Sequence, residues 1–210
     1  MIELRMRTKT VDLPFSIRIH DVTEEMFDEM VDEDTKADLL DGEMIVHSPA
    51  SPRHDDLSGF LRMLMRGYAG KRRLGKVLGP DSLIRLARGR KFGPDIFFFE
   101  KHRIPVPLPP KEFKGVPDQI LEILSPSNRD YDLEEKRPAY RKAGVKEIWF
   151  VDPDEEQVIV DRLSKNTYTS STQSKGKLTS VALAGFWIDV AWLWGDELPD
   201  EMECLAKILK

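Results

Sequence analysis

Cysteine is almost missing: Cys204 is the only one in 210 residues. That excludes an intramolecular disulfide framework and a cysteine-rich zinc site. A reducing, cytoplasmic setting is the simplest expectation. Long apolar runs are missing too. Nowhere do ~18 consecutive apolar residues occur, the length a membrane span needs. The opening MIELRMRTKTVDLPFSIRIHDV lacks the apolar core of a signal peptide. There is no Gly-x-x-x-x-Gly-Lys-Ser/Thr phosphate loop, although GKVLGPDSLIRLARGRKFG carries glycines and basic residues. No Gly-x-Ser-x-Gly elbow presents a serine nucleophile. Ser125-Pro126-Ser127 does not replace it, since the nearest histidine in sequence is His102. No internal repeat, low-complexity tract or obvious linker divides the chain.

What is present is enough for a core. Hydrophobic residues make up 40% of the chain, with 10 Phe and 4 Trp. At roughly 100–200 residues per domain, the expectation is one domain over residues 1–210. The net charge of −5 hides an asymmetry. From Asp21 to Glu43 there are 11 acidic residues and one basic residue, Lys36; from Arg53 to Lys91 there are 11 basic and 3 acidic residues. An acidic total is a poor start for a nucleic-acid binder, because phosphate affinity comes largely from Lys and Arg. The basic block keeps such a partner open. The plainer alternative is two solvated helical faces of opposite sign.

The local patterns predict alternating elements. TEEMFDEMV reads as a short helix capped by Thr23. ADLLDGEMIVHSP reads as a hairpin turning at Asp41-Gly42. Leu57, Leu61, Leu64 and Tyr68 share one helical face, with Arg62 and Arg66 on another. KVLGPDSLIRLA has strand character; PDIFFFE and DQILEIL are short buried strands. RIPVPLPPKEFKGVP between them is expected as a proline-rich surface loop. DYDLEEKRPAYRKAG is helical in composition and ends at Gly144, but Pro138 would break a regular ladder. The regular helix is therefore expected to start near Glu135 or Lys136, after a looser turn. KEIWFVDP is a strand, QVIVDRL and NTYTSST form a meander, and DEMECLAKILK is a closing helix. Strands on both sides of a helix imply an α/β fold with a mixed sheet.

Two acids stand where chemistry is expected. In DQILEIL, Ile120, Glu122 and Leu124 share one face, and Leu121 and Ile123 the other. An unpaired carboxylate in such a strand is costly, so Glu122 needs a cation or a donor. A salt bridge or a strand end facing water would also serve. Asp95 opens DIFFF after Pro94, where it could simply cap a turn. Together, two acids at the ends of neighbouring apolar strands offer the hard oxygens that Mg²⁺ prefers. The Trp-rich end, with Trp187, Trp192 and Trp194, is expected to be core or dimer-interface material rather than a stacking platform.

The pair of acids resembles the Pro-Asp…(Asp/Glu)-x-Lys pattern of restriction-endonuclease-like nucleases. There, a lysine follows the second acid by two residues; here that position is Leu124. The longer strings DGEMIVHSPASPRH, PDIFFFE and PDQILEILSPSNRDYDLEEKRPAYRKAGVKEIWFVDP together resemble the Uma family of bacterial proteins grouped with the restriction endonucleases. The resemblance covers about residues 20 to 190. In that family the lysine is displaced to the following helix, at the position of Lys136, so Leu124 departs from the wider pattern and not from this branch. Read from the residues alone, Lys136 could instead be a solvated helix lysine paired with Asp132 or Glu135.

The resemblance implies a restriction-endonuclease-like α/β core, with a mixed central sheet flanked by helices, an extra N-terminal hairpin and C-terminal antiparallel strands. It implies Asp95 and Glu122 as ligands of Mg²⁺ or Mn²⁺, with the backbone carbonyl of Ile123 as a further ligand. Lys136 would orient or deprotonate the attacking water and stabilise phosphate charge. Glu43 matches an acidic position supporting the site, and His54 a position that touches phosphate. Arg62 and Arg66 on the basic helix, and Tyr140 one turn after Lys136, are expected near the substrate. The leading expectation is a metal-dependent endonuclease acting on nucleic acid, DNA before RNA. The alternative is an inactive module of the same fold that binds nucleic acid or protein. A sugar hydrolase with paired acids is disfavoured, because no aromatic-lined cleft is signalled beside them. Cutting both strands of a duplex needs two sites, so a homodimer through GFWIDVAWLW is a further expectation.

Overall fold

The computed structural model describes residues 16–32 and 35–210. The expectation about a leader segment rests mainly on residues 1–15 and lies outside the described residues. The chain opens with β1 (Ser16–Ile19), helix α1 (Glu24–Met30) and a hairpin of β2 (Ala37–Leu40) and β3 (Glu43–His47). Thr23 caps α1 by accepting the Met26 N–H at 3.2 Å. Asp41 and Gly42 have φ of 50° and 100°, the paired left-handed conformation of a tight hairpin turn. Helix α2 (Pro52–Arg72) follows, capped by Ser51, whose hydroxyl accepts the His54 N–H at 3.2 Å. Its face of Leu57, Leu61, Leu64 and Tyr68 is buried, as the spacing predicts.

Next come β4 (Gly75–Leu78), β5 (Leu83–Ala87), β6 (Arg90–Phe92) and β7 (Ile96–Glu100). The proline-rich segment runs over the surface but ends in a short strand, β8 (Glu112–Lys114), past the last proline that would break a ladder. Then β9 (Gln119–Ile123), α3 (Arg137–Ala143), β10 (Glu147–Asp152), β11 (Gln157–Ser164), β12 (Thr167–Gln173), β13 (Lys177–Thr179), β14 (Trp187–Asp189) and α4 (Glu201–Leu209) complete the order.

The strands build two six-stranded sheets and a small two-stranded one. The first large sheet has the order β12-β11-β10-β9-β7-β4 and is mixed, because β9 and β10 run parallel while its other pairs are antiparallel. This is the predicted central sheet with its antiparallel extension. The predicted hairpin is not an isolated addition. It joins a second sheet of order β1-β3-β2-β6-β5-β8, in which β2 pairs with β6. One face of the first sheet packs on α2 through Ile96, Phe98, Leu121, Ile123 and Trp149. The other face carries Phe97, Ile120, Leu124 and Phe150 against Tyr140 of α3 and Phe92 of the second sheet. The parity expected for DQILEIL therefore holds, and Glu122 points to the α3 side.

Two features differ from expectation, and a third gives the expected looser turn its form. The acidic and basic blocks are not wholly separate solvated faces: three of the eleven bases pair with acids of the other block. Glu24 accepts two bonds from Arg85 at 2.8 and 2.5 Å, Asp41 accepts two from Arg90 at 2.8 and 2.5 Å, and Asp28 pairs with Lys91 at 2.5 Å. The register of β2 beside β6 folds one block onto the other. Phe186, Ile188, Val190 and Leu193 of the tryptophan-rich tail are buried in this chain's own core. Trp187, Trp192 and Trp194 pack partly buried against the same core. Finally, residues Tyr131–Lys136 form a π-helical stretch leading into α3, with the Arg137 N–H bonded to the Asp132 carbonyl. Pro138 sits in the first turn of α3, where its missing N–H costs least. Among the described residues, no helix is long and apolar enough to cross a membrane.

Helix α3 is tied to the first sheet by a buried carboxylate. Asp161 of β11 accepts from Arg137 at 2.7 and 2.8 Å, from Arg141 at 2.7 Å through both nitrogens, and from Ser170 at 2.8 Å. Burial alone would raise its pKa, but the two guanidinium groups and the hydroxyl outweigh it and bring the carboxyl down from 3.8 to about 2. A carboxyl depressed by folding stabilises the fold above its unfolded pKa and loses that contribution as pH falls through its folded value. Thermal denaturation of wild type and Asp161→Asn should therefore differ most above pH 4 and converge as the pH approaches 2.

Candidate active site

The pairing of β7 with β9 sets Ile96 opposite Leu121, and one step further in the same register sets Asp95 opposite Glu122. Asp95 has the parity of Phe97 and Phe99, which face α3, so both acids lie on that side. They are also cross-braced. The Asp95 N–H donates to Glu122 Oε2 at 3.1 Å, and the Ile123 N–H donates to Asp95 Oδ2 at 2.9 Å. Both carboxylates are buried.

The other partners come from four elements. His54, placed by the Ser51 cap at the start of α2, reaches Asp95 Oδ2 with Nε2 at 3.1 Å. Lys36, one residue before β2, reaches Asp95 Oδ1 at 3.1 Å. From the π-helical stretch, Lys136 Nζ lies 3.2 Å from Glu122 Oε1, 3.2 Å from Asp132 Oδ1 and 3.4 Å from Asp38 Oδ2. From α3, the Tyr140 hydroxyl donates to Glu122 Oε1 at 2.5 Å. Asp38 of β2 accepts the Gly93 N–H at 2.8 Å and the Tyr131 hydroxyl at 3.2 Å, and bonds His47 Nε2 at 2.8 Å.

Asp95, Glu122, Lys136, His54 and Tyr140 are thus brought together. Ile123 adjoins them through its N–H. Glu43 is not in this cluster. It pairs with Arg18 at 2.9 Å and His20 at 3.0 Å, while Arg18 also binds Glu135. On the far side of the hairpin turn, Asp38 takes the buried place instead. Arg62 and Arg66 lie about 12 and 18 Å along α2 from His54 at 1.5 Å per residue, too far to share its contact. Arg62 leans over Gly79, and Arg66 is exposed.

Sequence reasoning missed Asp38, Lys36, Tyr131 and His47 as members of the cluster, and assigned Asp132 only as a salt-bridge partner of a solvated lysine. Lys136 does pair with Asp132, but both are buried. Two signals were available. Asp38 interrupts an apolar hairpin strand, and Lys36 is the single base within the acidic block.

The charges set the electrostatics. Burial would raise Asp95, but the His54 bond and the Lys36 charge hold it well below the usual range. Asp38 is likewise held down, against burial, by Lys136 and His47. Burial and the nearby carboxylates push Glu122 up and carry Asp132 up to about 7, against the pull of Lys136. Lys136 is raised well above the ordinary lysine value, because three carboxylates outweigh its own burial. An ammonium so held is charged at neutral pH in the metal-free protein.

A family model described as "Putative restriction endonuclease", Uma2, matches residues 24–191. The chain belongs to the Uma2 family. Among solved structures, the Uma2 chain is similar to a protein of Anabaena variabilis ATCC 29413 described as "a putative nuclease belonging to DUF820". Identity is 18%, covering 82% of this chain and 97% of the other, with a TM-score of 0.71. At that identity the likeness establishes the shared fold. No curated protein matches the chain.

The donor set fits the divalent cation that the Uma2 resemblance implies. Among the described residues no three His, Cys, Asp or Glu side chains are grouped as a ready-made metal site. Mg²⁺ does not require one, since it binds through one or two carboxylates and keeps several waters. Four buried acids, Asp38, Asp95, Glu122 and Asp132, face two ammonium groups and two imidazoles. The mutual repulsion already raises two of the four carboxyls. Asp95 Oδ1 and Glu122 Oε2 each receive a single donor, which leaves one acceptor position on each.

Lys136 is the counter-ion of this cluster, and its loss strands Glu122, Asp132 and Asp38. Lys136→Ala should cost about 3–5 kcal/mol, the range for breaking a buried pair on one side. Urea unfolding at neutral pH measures it, and a cost below 1 kcal/mol would mean that water already solvates the carboxylates.

Proposed function

We propose that this chain is a divalent-metal-dependent nuclease that hydrolyses phosphodiester bonds of nucleic acid, with DNA the first substrate to test. The observation that carries the reading is the apposition of Asp95 and Glu122 across β7 and β9, with Lys136 on the same carboxylate. Family membership supports the reaction class.

On this reading Asp95 and Glu122 would hold Mg²⁺ or Mn²⁺, with the carbonyl of Ile123 as a further oxygen ligand. When bound, such an ion polarises a phosphoryl oxygen and lowers the pKa of a water. The chain's own residues do the rest. Tyr140 and Lys136 fix Glu122 Oε1, so that Oε2 stays aimed toward Asp95. The Ile123 N–H and His54 fix Asp95 Oδ2 and leave Oδ1 as the outward oxygen. Lys136 contributes a fixed positive charge to the pocket in which negative charge develops. In the metal-free protein its three carboxylate partners hold Lys136 as the ammonium, which orients the water before the ion binds. Glu43 has no direct part in it, because it is engaged with Arg18 and His20.

The test is nicking of supercoiled plasmid, with a labelled RNA in parallel, in Mn²⁺, Mg²⁺ and EDTA. Cleavage should require the metal and should fall by about 100-fold or more in Asp95→Asn and Glu122→Gln, the upper end of what even supporting residues of metal sites contribute. Metal-independent cleavage, or equal rates in all three proteins, would sink the assignment. Salt-dependent binding of the same plasmid without cleavage by any of the proteins would replace it with the inactive binding module.

A further inference from the structure

The donors on the Asp95–Glu122 pair are unequal. Lys136 and Tyr140 are buried, and two others are backbone N–H groups of the paired strands. His54 is 14% exposed. Lys36 is different: its side chain is 37% exposed, against 6% for Asp95 and 6% for Lys136. Its backbone is anchored, since its carbonyl accepts the His47 N–H at 3.0 Å. The side chain alone is therefore free to move, over four rotatable bonds.

Where its ammonium rests is informative. Asp95 Oδ2 takes two donors that brace the strand end, whereas Oδ1 takes Lys36 alone. Lys36 thus sits on the oxygen that the proposed metal would use. It also lines a cleft of about 1280 Å³, together with Ala37 and Gly93 beside the cluster and Lys111, Lys114 and Arg103 farther out. The cleft wall is mixed in charge. Asp28 and Glu112 on it both pair with Lys91, and Asp32 and Asp81 also face it.

We infer that Lys36 is a place-holding cation: it occupies Asp95 Oδ1 in the metal-free protein and turns to a phosphate in the cleft when a divalent ion takes that oxygen. Two cations on one carboxylate oxygen repel each other in a pocket of low dielectric, so binding of the ion favours turning the ammonium outward into the cleft that Lys36 lines. The phosphate contact rests on the nuclease reading; the place-holding does not.

Two measurements on Lys36→Met and Lys36→Arg separate these parts. Calorimetric titration with MnCl₂ alone should show about 10-fold tighter binding to Lys36→Met than to wild type, with Lys36→Arg close to wild type. Unchanged or weaker Mn²⁺ binding by Lys36→Met overturns the place-holding role. Anisotropy of a fluorescein-labelled oligonucleotide duplex, in Ca²⁺ across a salt series, should show weaker binding by Lys36→Met. Its slope of log affinity against log salt should be shallower by about one, and Lys36→Arg should restore it. Tighter Mn²⁺ binding with an unaltered salt slope keeps the place-holding role and overturns the phosphate contact. Failure of the wild type to bind the oligonucleotide overturns the phosphate contact and the nuclease reading together, while the Mn²⁺ result still decides the first half. Lys36→Gln, shorter, polar and neutral, repeats both arms should Lys36→Met prove unstable to heating.

Discussion

Two carboxylates facing each other across β7 and β9 govern the rest of this structure. Buried side by side, Asp95 and Glu122 repel each other and lack water. The fold tolerates them only by bringing cations and N–H donors from every neighbouring element. The second sheet supplies Lys36, α2 supplies His54, and the π-helical stretch supplies Lys136. Each element is thereby tied to the same point. Hydrophobic packing on the two faces of the first sheet sets where α2 and α3 lie, and the acids set how their ends must be turned. Such a cluster is weak as a source of stability, because desolvation offsets much of the Coulomb attraction. Its retention is easier to understand as the requirement of a site.

The π-helical turn explains how Lys136 reaches Glu122 from outside the strand. Leu124 shares the face of Glu122, but it is packed with Ile120, Tyr140 and Phe150. A lysine there would put its stem into that core. An ammonium arriving from the helix instead meets Glu122 from above. A regular α-helix through Pro138 would set the proline ring against the Glu134 carbonyl. Widening the preceding turn relieves this, and the first regular turn can then begin at Arg137. The same widening turns Asp132 and Lys136 inward together, while Glu134 stays exposed. A local backbone conflict and the placement of a charge thus have one solution. Irregular turns of this kind are common at functional sites.

Much of this was legible in the sequence. Alternation in DQILEIL gave the face of Glu122, and Leu57, Leu61, Leu64 and Tyr68 gave the buried face of α2. Pro138 gave the position of the irregular turn within two residues. These signals are local, set by side-chain period and backbone sterics. What was not legible depends on which strands pair. Glu43 and Asp38 sit on the two arms of one hairpin, both plausible acids. Only the neighbouring strand decides between them: β6 beside β2 covers Asp38 and lets Gly93 donate to it, while Glu43 faces Arg18. The charge blocks fail for the same reason. Read along the chain they look like opposed surfaces, yet Glu24, Asp28 and Asp41 meet Arg85, Lys91 and Arg90 only after the second sheet has formed.

That internal pairing changes how an acidic protein could receive a phosphate backbone. With the basic residues of β5 and β6 engaged by α1 and β2, they do little to steer a polyanion. Attraction must then come from the remaining bases, such as the exposed Arg66 of α2, and from the cleft itself. The cluster itself is unsuited to it while its acids outnumber its ammonium groups, since a phosphate entering the cleft would meet net negative charge. A divalent ion offsets that charge, and on the nuclease reading the order metal, then nucleic acid, suits an acid-rich pocket. It gives a reason for a half-exposed lysine on the outward oxygen of Asp95: the ammonium keeps the carboxylate ionised and accessible until a stronger cation replaces it, then becomes available to the anion that follows.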